Sequence, residues 1–146
     1  LGRLNARGIG GVGQGLFGGQ GQLRLMKKRS QNGPLLRPRF RVLCGVDILL
    51  GPGRADLLEQ IRDTGSIAEA AVQLRMSYMR AWQLVRAMNA GFREPLVKTV
   101  RGGSDQGGSS LTPTGLRVLT LYRSMEERAM AATEADWERI RSLLRP

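Results

Sequence analysis

The stretch Gly65-Ser66-Ile67-Ala68-Glu69-Ala70-Ala71 constrains the fold more than any other part of the chain. Gly65 lies just past an apolar-periodic segment, where a left-handed residue commonly closes a helix. Ser66 and Glu69 stand at capping-box spacing, hydroxyl and carboxylate both set to satisfy free amides at a new helix start. That helix is short and small, with Ala68, Ala70, Ala71, Val72 and Leu74, so a neighbouring helix can approach it closely. Before it, Leu57, Leu58 and Ile61 give residues 54–63 a helical period. After it, a break around Arg75-Met76 leads to Ser77, the expected cap of a third helix that closes at Asn89-Ala90-Gly91. Ala81, Val85 and Met88 form the inner stripe of this third helix, with Trp82 alongside. Helix, tight turn and helix is the helix-turn-helix arrangement.

The flanks complete the pattern. From Arg37 to Leu50, Phe40, Val42, Cys44 and Val46 alternate with Arg39, Arg41 and Asp47, which predicts a strand continued by Ile48, Leu49 and Leu50. Cys44 falls on the inward set and is expected to be a buried core thiol. Gly51-Pro52-Gly53 ends the strand. Beyond the third helix, Leu96, Val97 and Val100 predict a short strand, and glycine-rich residues 102–110 a hairpin tip. Leu111 re-enters the core before Thr112-Pro113, an N-cap followed by proline at the first helical position. Two short strands around a glycine-rich tip make a wing. The last helix runs from Pro113 with a stripe of Val118, Tyr122, Met125, Ala129 and Ala132. The stripe resumes one residue out of register at Trp137, Ile140 and Leu144, so residues 133–136 are expected to hold a kink or a fresh start. The fold class is therefore mostly α with a small β wing, a winged helix-turn-helix with a long C-terminal helix. The domain is placed at residues 37–125 and the C-terminal helix at 113–145.

Charge points to the partner. The 146 residues carry a net charge of +11, and residues 1–37 hold seven Lys/Arg and no acid. Between Arg75 and Arg101 six basic residues face the single Glu94. A polyanion is the first partner to consider. The absence of histidine and the single cysteine remove zinc sites and Cys-His nucleophiles, so no enzyme, metal or cofactor is expected. No apolar run approaches the ~18 residues of a membrane span. Residues 1–36 read as a disordered, glycine-rich basic leader. Its two overlapping G-x-G-x-x-G matches (Gly8 to Gly13 and Gly13 to Gly18) lack the strand and helix that a dinucleotide site requires. Met26, followed by Lys27-Lys28-Arg29, is a candidate true start.

In a winged helix-turn-helix the outer face of the third helix enters a major groove. Here that face offers Ser77, Tyr78, Arg80, Gln83 and Arg86. Gln83 suits adenine and arginine suits guanine. Arg75 in the turn suits a phosphate, and Ser66 at the second helix start is a further DNA-binding candidate. Lys98 and Arg101 flank the wing, where Gly102, Gly103, Gly107 and Gly108 let backbone amides approach the DNA. For the C-terminal stripe, Tyr122, Met125, Ala129, Trp137, Ile140 and Leu144 are the candidate dimerisation residues, with packing on the chain's own domain weighed evenly against it.

Several blocks are similar to one known family. G-S-I-A-E-A-A at Gly65 to Ala71, S-Y-x-x-A-W at Ser77 to Trp82, Met88-Asn89 and E-P-L-V at Glu94 to Val97 resemble the ModE-type molybdate regulators. The glycine wing at Gly102 to Gly108 and L-T-P-T-G at Leu111 to Gly115 do so too. The same blocks are more distantly similar to LysR-type DNA-binding domains. The resemblance implies a dimeric winged-helix transcriptional regulator of molybdate-transport or molybdenum-enzyme genes, cytoplasmic and associated with the nucleoid. Full-length members append paired oxyanion-binding domains, whereas this chain ends at Pro146, so direct molybdate binding is not expected. Arg75 replaces the glycine common before the recognition helix, and Ser104, Asp105 and Gln106 interrupt the wing, so sequence preference is expected to differ. The alternatives are a non-specific architectural DNA- or RNA-binding protein driven by the basic leader, and an adaptor that binds protein through the Trp137 to Leu144 stripe.

Overall fold

In a computed structural model, residues 33–100 and 108–145 are described. A hairpin, β1 (Val42–Cys44) and β2 (Asp47–Leu50), leads into α1 (Pro52–Thr64), α2 (Ile67–Gln73) and α3 (Tyr78–Gly91). A second antiparallel pair follows, β3 (Val97–Thr99) and β4 (Ser109–Leu111), and then α4 (Pro113–Ala132) and α5 (Glu134–Ser142). The order is that of a winged helix-turn-helix preceded by a hairpin.

The single strand expected over residues 37–50 is instead this hairpin. Gly45 takes φ +60, so the chain reverses at Gly45-Val46 and pairs Cys44 with Asp47. Glycine at the first central position is what a type II′ turn requires. Alternation with period two was present, but the reversal carries its first half to the rim. Val42 and Cys44 are exposed and Val46 is 96 % exposed, so Cys44 is no core thiol. Only Leu50 of the hairpin is buried, while Leu49 leans on Gly91 at the end of α3.

The core lies where α1, α2, α3, the wing strands and the first half of α4 meet. Leu57, Leu58, Ile61, Ala70, Ala71, Ala81, Val85, Met88, Leu96, Leu119 and Tyr122 are buried there. Each large aliphatic or aromatic side chain so buried is worth roughly 1.5–3 kcal/mol. α1 begins at Pro52, two residues before the expected start, because proline fits the first helical position where no amide is needed. Gly65 closes α1 at φ +71, its amide donating to Ile61 O at 2.9 Å.

α4 enters the core by a close approach. A Cβ on Gly115 would stand 2.1 Å from the carbonyl oxygen of Leu96, so only glycine lets the helix seat there. The Thr112 hydroxyl accepts from the Gly115 amide at 3.0 Å and donates to Pro95 O at 2.7 Å, tying cap and wing together. Arg123 of α4 bridges back to α1 through Asp56 (2.6 Å) and Glu59 (2.7 Å), and to Glu126 (2.8 Å). Burial opposes the guanidinium's charge, but these three carboxylates outweigh it and hold the Arg123 pKa above its ordinary value.

The expected break in the C-terminal stripe is present. α4 ends at Ala132, and Thr133 turns its hydroxyl onto Ala129 O at 2.7 Å before α5 begins. No residue of α5 is buried.

Candidate nucleic-acid interface

α2 and α3 are set at their angle by caps and small residues. The Ser66 hydroxyl accepts from Glu69 N at 3.3 Å, the first half of the expected capping box. The second half is supplied differently, because the Ser66 amide donates to the Thr64 hydroxyl at 3.3 Å. Ala70, Ala71 and Ala81 are buried at the helix crossing, where larger side chains would hold the backbones apart. Val72 of α2 is 74 % exposed.

The turn between the helices is a Schellman motif. The Met76 amide donates to Ala71 O at 3.0 Å and the Arg75 amide to Val72 O at 3.1 Å. The residue at its left-handed position is Arg75, with φ +54, the one non-glycine residue there among the described residues. A side chain in that conformation costs roughly 1–2 kcal/mol relative to the right-handed region. Arg75 is exposed, so the strained position directs a cation outward at the mouth of the turn.

Ser77 caps α3 as expected, accepting from Arg80 N at 3.2 Å. Ala81, Val85 and Met88 are buried, and Ser77, Tyr78, Arg80, Gln83 and Arg86 are all exposed. The 14-residue helix contains no acid, so its open face is uniformly cationic or neutral. Arg86 lies over the Trp82 ring, 5.4 Å from its centroid. Such stacking steadies the guanidinium while leaving its edge free to donate. On the other flank Arg54 of α1 has its pKa lowered by burial and by Arg80, and its buried Nη1 has no partner among the described residues.

The wing is clamped to α3 by Asn89. Its Nδ2 donates to Val97 O at 2.8 Å, and its Oδ1 accepts from Leu96 N at 2.8 Å and Val97 N at 3.0 Å. β4 is fixed on its other side, Ser109 N donating to Gly65 O at 2.8 Å. Val100 N extends the ladder to Gly108 O at 2.9 Å. Between wing and helices runs a groove of about 420 Å³, lined by Ser66, Ala68, Tyr78, Trp82, Val100 and Gly108 among others. Lys98 is exposed on β3. Arg101, Gly102, Gly103 and Gly107 lie outside the described residues.

The structure thus brings Ser66, Tyr78 and Gly108 to one groove and sets Arg75, Ser77, Arg80, Gln83 and Arg86 around the open face of α3. It separates the six dimerisation candidates. Tyr122 is 1 % exposed and its hydroxyl donates to Phe40 O at 2.9 Å, so it serves the chain's own core and has no surface for a partner. Met125, Ile140 and Leu144 are exposed, and Ala129 and Trp137 are half-buried. Sequence reasoning missed Asn89, whose signal is its place at the helix end facing a strand. It also missed Met79, 64 % exposed on α3. Among the described residues no three potential metal ligands cluster, and no helix is long and apolar enough to cross a membrane.

Capped helix, strained turn, open basic helix and clamped hairpin together define a winged helix-turn-helix domain. No family model matches the chain. The molybdenum transport protein ModE of Azotobacter vinelandii is 37 % identical over 106 residues, 70 % of this chain and 39 % of its own length. The transcriptional regulator ModE of Haemophilus influenzae is 38 % identical over 79 residues, 54 % of this chain and 31 % of its own. The resemblance read from the motifs is borne out by these homologues, of whose length the chain spans no more than about two fifths. Among solved structures, the CbnR DNA-binding domain from a complex with DNA aligns with a TM-score of 0.48 at 21 % identity, covering 61 % of this chain and 97 % of that one.

Proposed function

We propose that the chain binds double-stranded DNA sequence-specifically as a homodimer and regulates transcription, with molybdate-transport or molybdenum-enzyme genes as its targets. The observation that carries this reading is α3, anchored on three buried residues and the Asn89 clamp, with an acid-free outer face open to a groove. In it Gln83, Arg80 and Arg86 read base edges, while Arg75 and Lys98 hold phosphates. The names of the homologues, transcriptional regulator and molybdenum transport protein, support the regulatory role and the choice of genes. Dimerisation would use Met125, Ala129, Trp137, Ile140 and Leu144, and no cofactor is invoked. The protein would act in the cytoplasm, at the nucleoid.

The test is selection from a random duplex pool by the full chain at fixed, near-physiological salt. A dimer of this kind enriches a two-fold site with half-sites about one turn, ~34 Å, apart. Arg80→Ala is expected to lower affinity for that site more than for random DNA. A second reading, a non-specific polyanion binder, is favoured by the seven cations and no acids of residues 1–37. Replacing the leader's cations by glutamine separates the two. Binding persists under the first and collapses under the second.

A further inference from the structure

The helix that carries the DNA-binding reading has an apolar residue at the middle of its polar face. At about 100° per residue, Met79, Gln83 and Ala90 fall within about 30° of the direction opposite the Ala81–Val85–Met88 stripe. Arg80 lies about 70° to one side, toward α1, and Tyr78 turns toward the wing. Met79 is therefore the first-turn side chain that points most directly away from the core, and it is 64 % exposed. Its i+3 and i+4 neighbours on the helix are Trp82, whose ring already carries Arg86, and the polar Gln83. Met79 is neither in the core nor among the residues packed against it.

A major groove offers one kind of apolar group among its hydrogen-bonding edges, the C5-methyl of thymine. Recognition-helix residues near the N-terminus are the ones that reach base edges. We infer that Met79 is a specificity-determining residue that packs on a thymine methyl in each half-site, choosing thymine at one position where the polar residues beside it read hydrogen-bond patterns. The inference rests on the proposed DNA-binding function and adds a contact that charge and hydrogen bonding do not provide.

Replacing thymine by deoxyuridine removes the methyl and leaves the Watson–Crick and groove hydrogen-bonding groups in place. The site selected by the full chain is therefore resynthesised with deoxyuridine at each thymine in turn, and affinities are measured for wild type, Met79→Ala and Met79→Leu. Wild type is expected to lose about three- to fivefold at one symmetry-related pair of positions, the effect of one methyl kept in water. Met79→Ala is expected to show no loss at that pair. Met79→Leu, apolar and of similar size, is expected to retain it. Met79 is a surface residue, so all three proteins are expected to share one melting temperature. A selected site whose deoxyuridine losses are the same in wild type and Met79→Ala overturns the assignment and leaves the DNA-binding reading standing. A pool that yields no site overturns both.

Discussion

α3 and α5 are both amphipathic helices in sequence, yet their apolar stripes meet different fates. In α3, Ala81, Val85 and Met88 are buried in the core. In α5, Trp137 and Ile140 leave no residue buried, and Ile140 is 53 % exposed. The helical period records that a face is apolar, and only the neighbours decide whether that face finds a partner within the chain. A face spent on the core leaves its opposite side free for a ligand, as in α3. A face left open carries an unanswered demand for burial, as in α5, and that is what a second copy would answer.

One charge placed on each stripe separates the two helices by the largest expected effect. Val85→Asp would bury an unpaired carboxylate and is expected to cost at least ~3 kcal/mol, enough to unfold much of the protein in a urea titration. Ile140→Asp should change chain stability by less than ~0.5 kcal/mol. Under the proposed function its expected effect is a fall in sedimentation mass from dimer to monomer. Equal destabilisation by the two variants would mean that α5 has core contacts after all.

Next in size is Asn89→Ala, which removes three hydrogen bonds to the backbone of Leu96 and Val97. A loss of about 2–3 kcal/mol is expected, because the strand amides are left without partners. Hydrogen exchange should quicken first in β3, sharpening the view that α3 and the wing are one unit.

The Arg123 cluster joins α1 to α4 through Asp56 and Glu59. Arg123→Met is expected to cost about 1–2 kcal/mol in low salt, and less at high salt, since the carboxylates left behind repel one another and are partly exposed. Thermal melts at two ionic strengths check both the loss and its salt dependence.

The smallest effect is expected at Arg75. Arg75→Gly relieves the left-handed strain but adds chain entropy to the unfolded state, so stability should rise by about 0.5 kcal/mol. Under the proposed function, DNA affinity should fall at the same time through the lost phosphate contact. A variant that gains stability without losing affinity would assign Arg75 to the turn alone.

Features written in short-range chemistry were legible in the sequence. Gly65, Ser66, Ser77 and Thr112-Pro113 each mark a helix end through their own bonding capacity, and the Ala81–Val85–Met88 stripe needs only the helical period. The break at Thr133 showed as a slip of one residue in the apolar register. The hairpin at Gly45 was hidden because alternation has the same period on both sides of a two-residue turn. Asn89 and Arg123 act through contacts with residues distant in sequence or across an element boundary, which the helical period does not record. Met79 escaped because an apolar residue is naturally assigned inward, and only the direction of the helix shows that it faces out.

Whether the open face of α3 reads DNA is decided by amide chemical shifts of the full chain titrated with its selected duplex. Large shifts are expected along Ser77, Arg80, Gln83 and Arg86 and at Lys98, with Glu134–Ser142 unchanged relative to the free protein. Shifts confined to residues 1–36, with α3 unmoved, would contradict it.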